Sequence, residues 1–118
     1  MADVELSDTT LARDAALLTD TVREAGLLAK SLFRTELKNW IKGKSSPVSE
    51  ADIAVNDLFE RRLRDASPGY GWLSEETEDS GDRLSRDTLF IIDPIDGTRA
   101  FLAGMDLWCV SVAVVRHG

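Results

Sequence analysis

Two aspartates three residues apart, Asp93 and Asp96, flank Pro94 and open onto Gly97 and Thr98, inside the stretch LFIIDPIDGTRAFLAG that runs from 89 to 104. Two acids on a tight turn repel each other unless a counter-charge lies between them, so the pair points to a bound cation. Glu75, just past a short apolar run (YGWLS), is a third carboxylate at a strand end, able to converge on the same place. Oxygen-only donors of this kind suit a hard cation such as Mg²⁺ or Mn²⁺. Zinc is disfavoured, because one His and one Cys do not build its usual sites. The Asp-x-Asp-x-Asp-Gly spacing of an EF-hand loop is absent. Beside the acids, Gly97 and Thr98 offer main-chain N–H groups at a helix start, and the missing Cβ of Gly97 lets an anion come close. Cation-binding acids next to an anion site point to metal-assisted phosphoryl transfer, with two cations polarising the phosphate and lowering the pKa of an attacking water. The ligand-free alternative is a strand, a turn and an Asp N-cap.

Other phosphate chemistries fail on spacing. The GKS at 43–45 lacks the earlier glycine of a P-loop, a position held by Lys38. A cysteine phosphatase needs an arginine six positions after its nucleophile, and Arg116 lies one too far from Cys109. An Asp-x-Asp nucleophile pair fails at Pro94. The ending Arg116-His117-Gly118 imitates a histidine nucleophile after a strand, but no second histidine exists to assist it.

The elements that must carry these residues follow from periodicity and punctuation. Leu11, Ala15, Leu18, Val22, Ala25, Ala29 and Leu32 recur at steps of four and three, which predicts one face of a long helix packed on a core. WIKGKSSPV (40–48) reads as a loop by its Gly, Ser and Pro content, with Lys42 and Lys44 either reaching a phosphate or simply solvated. Ser49 and Asp52 form a near match to a capping box at the start of a second helix, which ends at Pro68-Gly69. Asp52 in that first turn is favoured by the helix dipole alone. A strand at YGWLS, an exposed connection TEDSGDRLSRD, the central strand, a short helix to about Gly104 and a last strand from Leu107 to Val115 complete the chain. The expected fold is α+β: two main helices layered on a mostly antiparallel sheet.

The 118 residues are the size of one domain, with an ordinary 43% of hydrophobic residues. A net charge of −7 argues against a nucleic-acid polymer or an anionic membrane as partner, while a metal ion can reverse the local sign for a phosphorylated substrate. The lone Cys109 permits no internal disulfide, which favours a reducing cytoplasm. The start MADVELSDTT has no basic region followed by an apolar run, and no apolar stretch approaches the about 20 residues of a spanning helix.

SSPVSEAD (45–52), WLSEE (72–76) and IIDPIDGTRAF (91–101), in this order and at these separations, resemble the inositol monophosphatase family of magnesium-dependent, lithium-sensitive phosphatases. The resemblance covers essentially the whole chain and implies roles residue by residue. Glu75, Asp93 and the main-chain carbonyl of Ile95 would hold a first Mg²⁺. Asp93 and Asp96 would contribute to a second ion, and Glu75 to a weaker third. Thr98, hydrogen-bonded with Asp52, would orient and activate the water, the Gly97 and Thr98 amides would hold phosphate, and the loop bearing Lys44 would close over the site. SEE at 74–76 leans towards the nucleotidases that hydrolyse adenosine 3',5'-bisphosphate, whereas DGTRAF also resembles histidinol-phosphate phosphatases. Family members are about twice this length, and their second half supplies a further aspartate to the second metal and most contacts to the leaving group. Residues 1–118 therefore correspond to an N-terminal metal-binding domain, with the last strand leaving apolar surface and a sheet edge uncovered. The expected whole is a homodimer, or a site completed by a separate half. The rival expectation is a non-catalytic interaction module whose acids bind a cation weakly.

Overall fold

The computed structural model describes the backbone of residues 2–116 and the side chains of residues 9–116. His117 of the Arg-His-Gly ending, and the side chains of the acidic start through residue 8, lie outside them. In chain order the elements are α1 (Ala2–Leu32), β1 (Asn39–Lys42), β2 (Ser46–Ser49), α2 (Glu50–Ala66), β3 (Gly71–Ser74), a 3₁₀ turn (Asp82–Ser85), β4 (Thr88–Asp96), α3 (Thr98–Leu102) and β5 (Cys109–Arg116). The strands form an antiparallel β1–β2 hairpin and a three-stranded sheet in the order β3-β4-β5. β4 runs parallel to β3 and antiparallel to β5. α1 packs on α2 and β5, and α2 packs on β4, so helices cover one face of the sheet, in the α+β arrangement expected.

The core gathers Ala25 and Ala29 of α1, Val55, Leu58, Phe59 and Leu63 of α2, and Phe90, Ile92 and Ile95 of β4. Small residues on α1 let it lie close to α2. The buried stripe of α1 departs from the expected one at its N-terminal end: Leu11 is 57% exposed and Ala15 is exposed, while Asp14 and Thr21 are buried. For Asp14 the reason is polar. Asp14 accepts the Tyr70 hydroxyl at 2.9 Å and stands 3.5 Å from a guanidinium nitrogen of Arg116, so this end of α1 is clasped to the sheet rather than packed in the core.

Two further expectations are corrected. The segment 40–48 is no loop but most of a hairpin, in which Trp40 pairs with Val48 and Ile41 with Pro47 around a turn at Gly43. Its Gly and Ser content marks the turn, and the flanking Trp-Ile and Pro-Val supply the strands. The two aspartates also do not lie on a tight turn; both belong to β4, which continues to Asp96 with β5 still paired alongside. Among the described residues β5 has a neighbour on one side, and Ile91 of β4, Leu107 before β5 and Val115 of β5 are exposed. Among the described residues no helix is long and apolar enough to cross a membrane.

Candidate active site

Asp93 pairs with Ser111 and Asp96 with Cys109, so β4 advances three residues where β5 advances two. The extra residue is a β-bulge, which reverses the alternation of side chains. Pro94 and Ile95 turn inward and are buried, leaving Asp93 half-buried and Asp96 exposed on the rim of one cleft. An unbroken strand would have sent two residues three apart to opposite faces.

That cleft, about 460 Å³, is also lined by Glu75 and Glu76 after β3, by Gly97, Thr98 and Arg99, and by Lys42 and the Ser45–Pro47 segment of the hairpin. Burial, reinforced by Asp96, Glu75, Glu76 and Asp52, pushes the Asp93 carboxyl up to about 6. Glu76 is raised as well, chiefly by burial and against the pull of Lys42. This is a crowd of carboxylates that a cation would relieve, and its oxygens fit a hard divalent ion. The four acids line a common space without closing on one point: among the described residues no three His, Cys, Asp or Glu groups form a ready-made metal cluster.

Asp52, fully buried, is anchored from both sides. The Ser49 main-chain N–H donates to its Oδ2 at 2.9 Å and the Ser49 hydroxyl at 2.7 Å, while the Ser49 oxygen caps α2 by accepting the Ala51 and Asp52 N–H groups. Its other oxygen, Oδ1, accepts the Thr98 hydroxyl at 2.8 Å. The Ile95 carbonyl lies 3.1 Å from the same hydroxyl, and one proton serves one acceptor at a time. With its proton held inward, the Thr98 oxygen keeps lone pairs for a water in the cleft.

Gly97 sits at φ +95° as the N-cap of α3, and a Cβ there would meet the Leu107 carbonyl oxygen at 2.6 Å. Packing against the chain entering β5 therefore requires this glycine, apart from any room an anion needs. Lys44 lies exposed in the hairpin turn and is not among the cleft-lining residues; Lys42 is, donating to the Glu75 carbonyl at 2.7 Å and lying 3.4 Å from the Glu76 carboxylate. Cys109, opposite Asp96, has its thiol pushed up by partial burial, then by Asp96 and Asp93, which keeps it protonated.

Sequence reasoning missed several supporting residues. Asn56 receives the Ser74 hydroxyl and donates to Thr77 Oγ1 at 3.0 Å, and Ser74 Oγ accepts the Glu76 N–H at 3.3 Å. This network ties the turn bearing Glu75 and Glu76 to α2. Its signal was available: Asn56 stands one helical turn after Asp52, a second polar residue on a buried face.

Residues 11–118 match the model of the inositol monophosphatase family. The chain belongs to that family. An inositol-1-monophosphatase of Mesorhizobium japonicum is 40% identical over 114 residues, covering 88% of this chain and 41% of that protein. A 3'-phosphoadenosine 5'-phosphate phosphatase of Mycobacterium bovis is 46% identical over 67 residues, covering 56% and 25% respectively. In structure, the extragenic suppressor protein suhB from Bartonella henselae superposes with a TM-score of 0.80 at 29% identity, over 90% of this chain and 42% of that one. The chain thus spans about two fifths of the first of these relatives and of the suhB chain.

Proposed function

We propose that this chain is the N-terminal, metal-binding domain of a magnesium-dependent phosphomonoesterase that acts on a small phosphorylated metabolite by direct attack of water. The observation that carries the reading is the Thr98 hydroxyl, its proton committed to buried Asp52, at the edge of a cleft walled by four carboxylates. Glu75, Asp93, Asp96 and the Ile95 carbonyl are the groups that would hold Mg²⁺, with Mn²⁺ as a substitute. When bound, the ions supply Lewis-acid polarisation of the phosphate and a lowered water pKa. The chain's own part is to orient. Thr98 accepts a hydrogen bond from the attacking water, and Asp52 fixes the hydroxyl so that its oxygen faces the cleft. The Gly97 and Thr98 amides hold phosphate oxygens, and the hairpin bearing Lys42 and Lys44 forms the opposite wall.

The favoured substrates are adenosine 3',5'-bisphosphate and inositol monophosphate, with histidinol phosphate the alternative within the family. The Mesorhizobium relative supports an inositol phosphate, and the mycobacterial one an adenosine bisphosphate. The test is phosphate release from all three with Mg²⁺, using the protein as the cell makes it and Asp93→Asn as control. Turnover lost in the variant supports the reading, and the preferred substrate names the subgroup. A second reading, a non-catalytic module, draws on the acids not closing on one point; saturable Mg²⁺ binding without turnover on any of the three would favour it.

A further inference from the structure

The hairpin that walls the cleft is firmly rooted but loosely tipped. At its base Val48 and Ser49 are buried, and the Lys38 carbonyl accepts the Glu50 N–H at 3.0 Å. Towards the tip, all of β1 is exposed and packs chiefly on β2, and Gly43 holds φ +63° with open space about it. Two cationic side chains span from the tip region to the walls of the cleft. Lys42 reaches the Glu75 carbonyl and the Glu76 carboxylate on the β3 side. On the α3 side, Arg99 Nη2 donates to the Ser45 carbonyl, in the turn itself.

The two tethers differ in part. Lys42 divides its reach between the Glu75 carbonyl and the Glu76 carboxylate, whose charge any cation entering the cleft competes for, whereas Arg99 holds a neutral main-chain oxygen that cation entry leaves unchanged. Arg99 also follows Thr98 directly, so its grip relates the turn to the residue that faces the cleft. We propose that Arg99 is a positioning residue, a latch that holds the hairpin turn against the Asp96–Thr98 segment and so sets the width of the cleft mouth. Its effect on turnover rests on the phosphatase reading; its effect on the hairpin does not.

The four lysines of this chain, Lys30, Lys38, Lys42 and Lys44, make the latch measurable with a lysine-specific protease. In the protein as the cell makes it, Arg99→Met is expected to speed cleavage after Lys44 about fivefold, the factor for one lost hydrogen bond of about 1 kcal/mol when cutting follows the open population. Cleavage after Lys30, within α1, stays unchanged. Arg99→Gln, which keeps an N–H donor and adds no cleavage site, returns the Lys44 rate to within about twofold of the unsubstituted protein. In the turnover assay Arg99→Met raises KM with kcat little changed, because the latch shapes the mouth and does not touch the water. An Arg99→Met protein cut after Lys44 at the unsubstituted rate, equal acceleration at Lys30, or an Arg99→Gln protein as labile as Arg99→Met would each overturn the latch. Since cleavage needs no turnover, an inactive protein still tests it.

Discussion

The Thr98 hydroxyl donates to Asp52 Oδ1 at 2.8 Å, joining the start of α3 to the first turn of α2 across 46 positions of sequence. Asp52 is buried and its other oxygen is occupied by Ser49, so the carboxylate is not free to act on anything in the cleft. It serves Thr98. Removing the hydroxyl is therefore expected to lower kcat by about 10²-fold, the lower end of what a positioned proton acceptor contributes, with Mg²⁺ affinity changed far less. Steady-state kinetics of Thr98→Ala beside a Mg²⁺ titration check this; Thr98→Ser recovers most of the rate.

Asp93 is the most crowded carboxylate of the cleft, and Asp93→Asn removes both a proposed ligand and a source of repulsion. Mg²⁺-supported phosphate release is expected to disappear in this variant. Phosphate assays over a range of Mg²⁺ concentrations would show no rescue, and substantial activity at any of them would exclude Asp93 as a ligand.

The same crowding sets a pH dependence for the metal-free protein. Asp93 titrates near 6 when folded, against an ordinary 3.8, and burial is the main cause. A folded pKa above the unfolded one means that its stabilising contribution is complete below about 3.8 and is lost as pH rises through about 6. In EDTA, Asp93→Asn should therefore melt higher than the unsubstituted protein at pH 7, and the gap should close towards pH 4. Saturating Mg²⁺ at pH 7 reverses the order. Melting curves at several pH values decide it.

Gly97→Ala places a methyl group 2.6 Å from the Leu107 carbonyl at a backbone angle that alanine seldom adopts. The expected cost is at least about 2 kcal/mol of folding stability, read from the shift in a urea melt. A variant of full stability would show that the chain entering β5 yields readily.

Much of this was legible before the structure. The capping box at Ser49 and Asp52, the strand-turn-helix order about Asp93 and the family motifs are local signals, carried by neighbouring residues. What escaped depends on contacts far apart in sequence. The sequence places Leu11 and Ala15 on a packed face, but Asp14 turns inward because Tyr70 and Arg116 wait for it. Gly and Ser at 43–46 conceal a hairpin whose strands are fixed by cross-strand pairing of Trp40 with Val48. The bulge at Pro94-Ile95, which sets both aspartates on one rim, exists only by comparison with β5. Arg99 carries no local sign of its contact with Ser45.

Trp108 closes against Gly97, its Cα 3.2 Å from where a Cβ would stand, and its ring meets Phe101 edge-on at 4.8 Å and Phe33 at 5.3 Å. The backbone of Trp108 thus stands next to Gly97 while its indole packs on the rings of α3 and of the segment after α1. Trp108 is a native fluorophore beside the cleft, and with Trp40 and Trp72 replaced by phenylalanine its emission is expected to change as the cleft fills, with no label and no substrate.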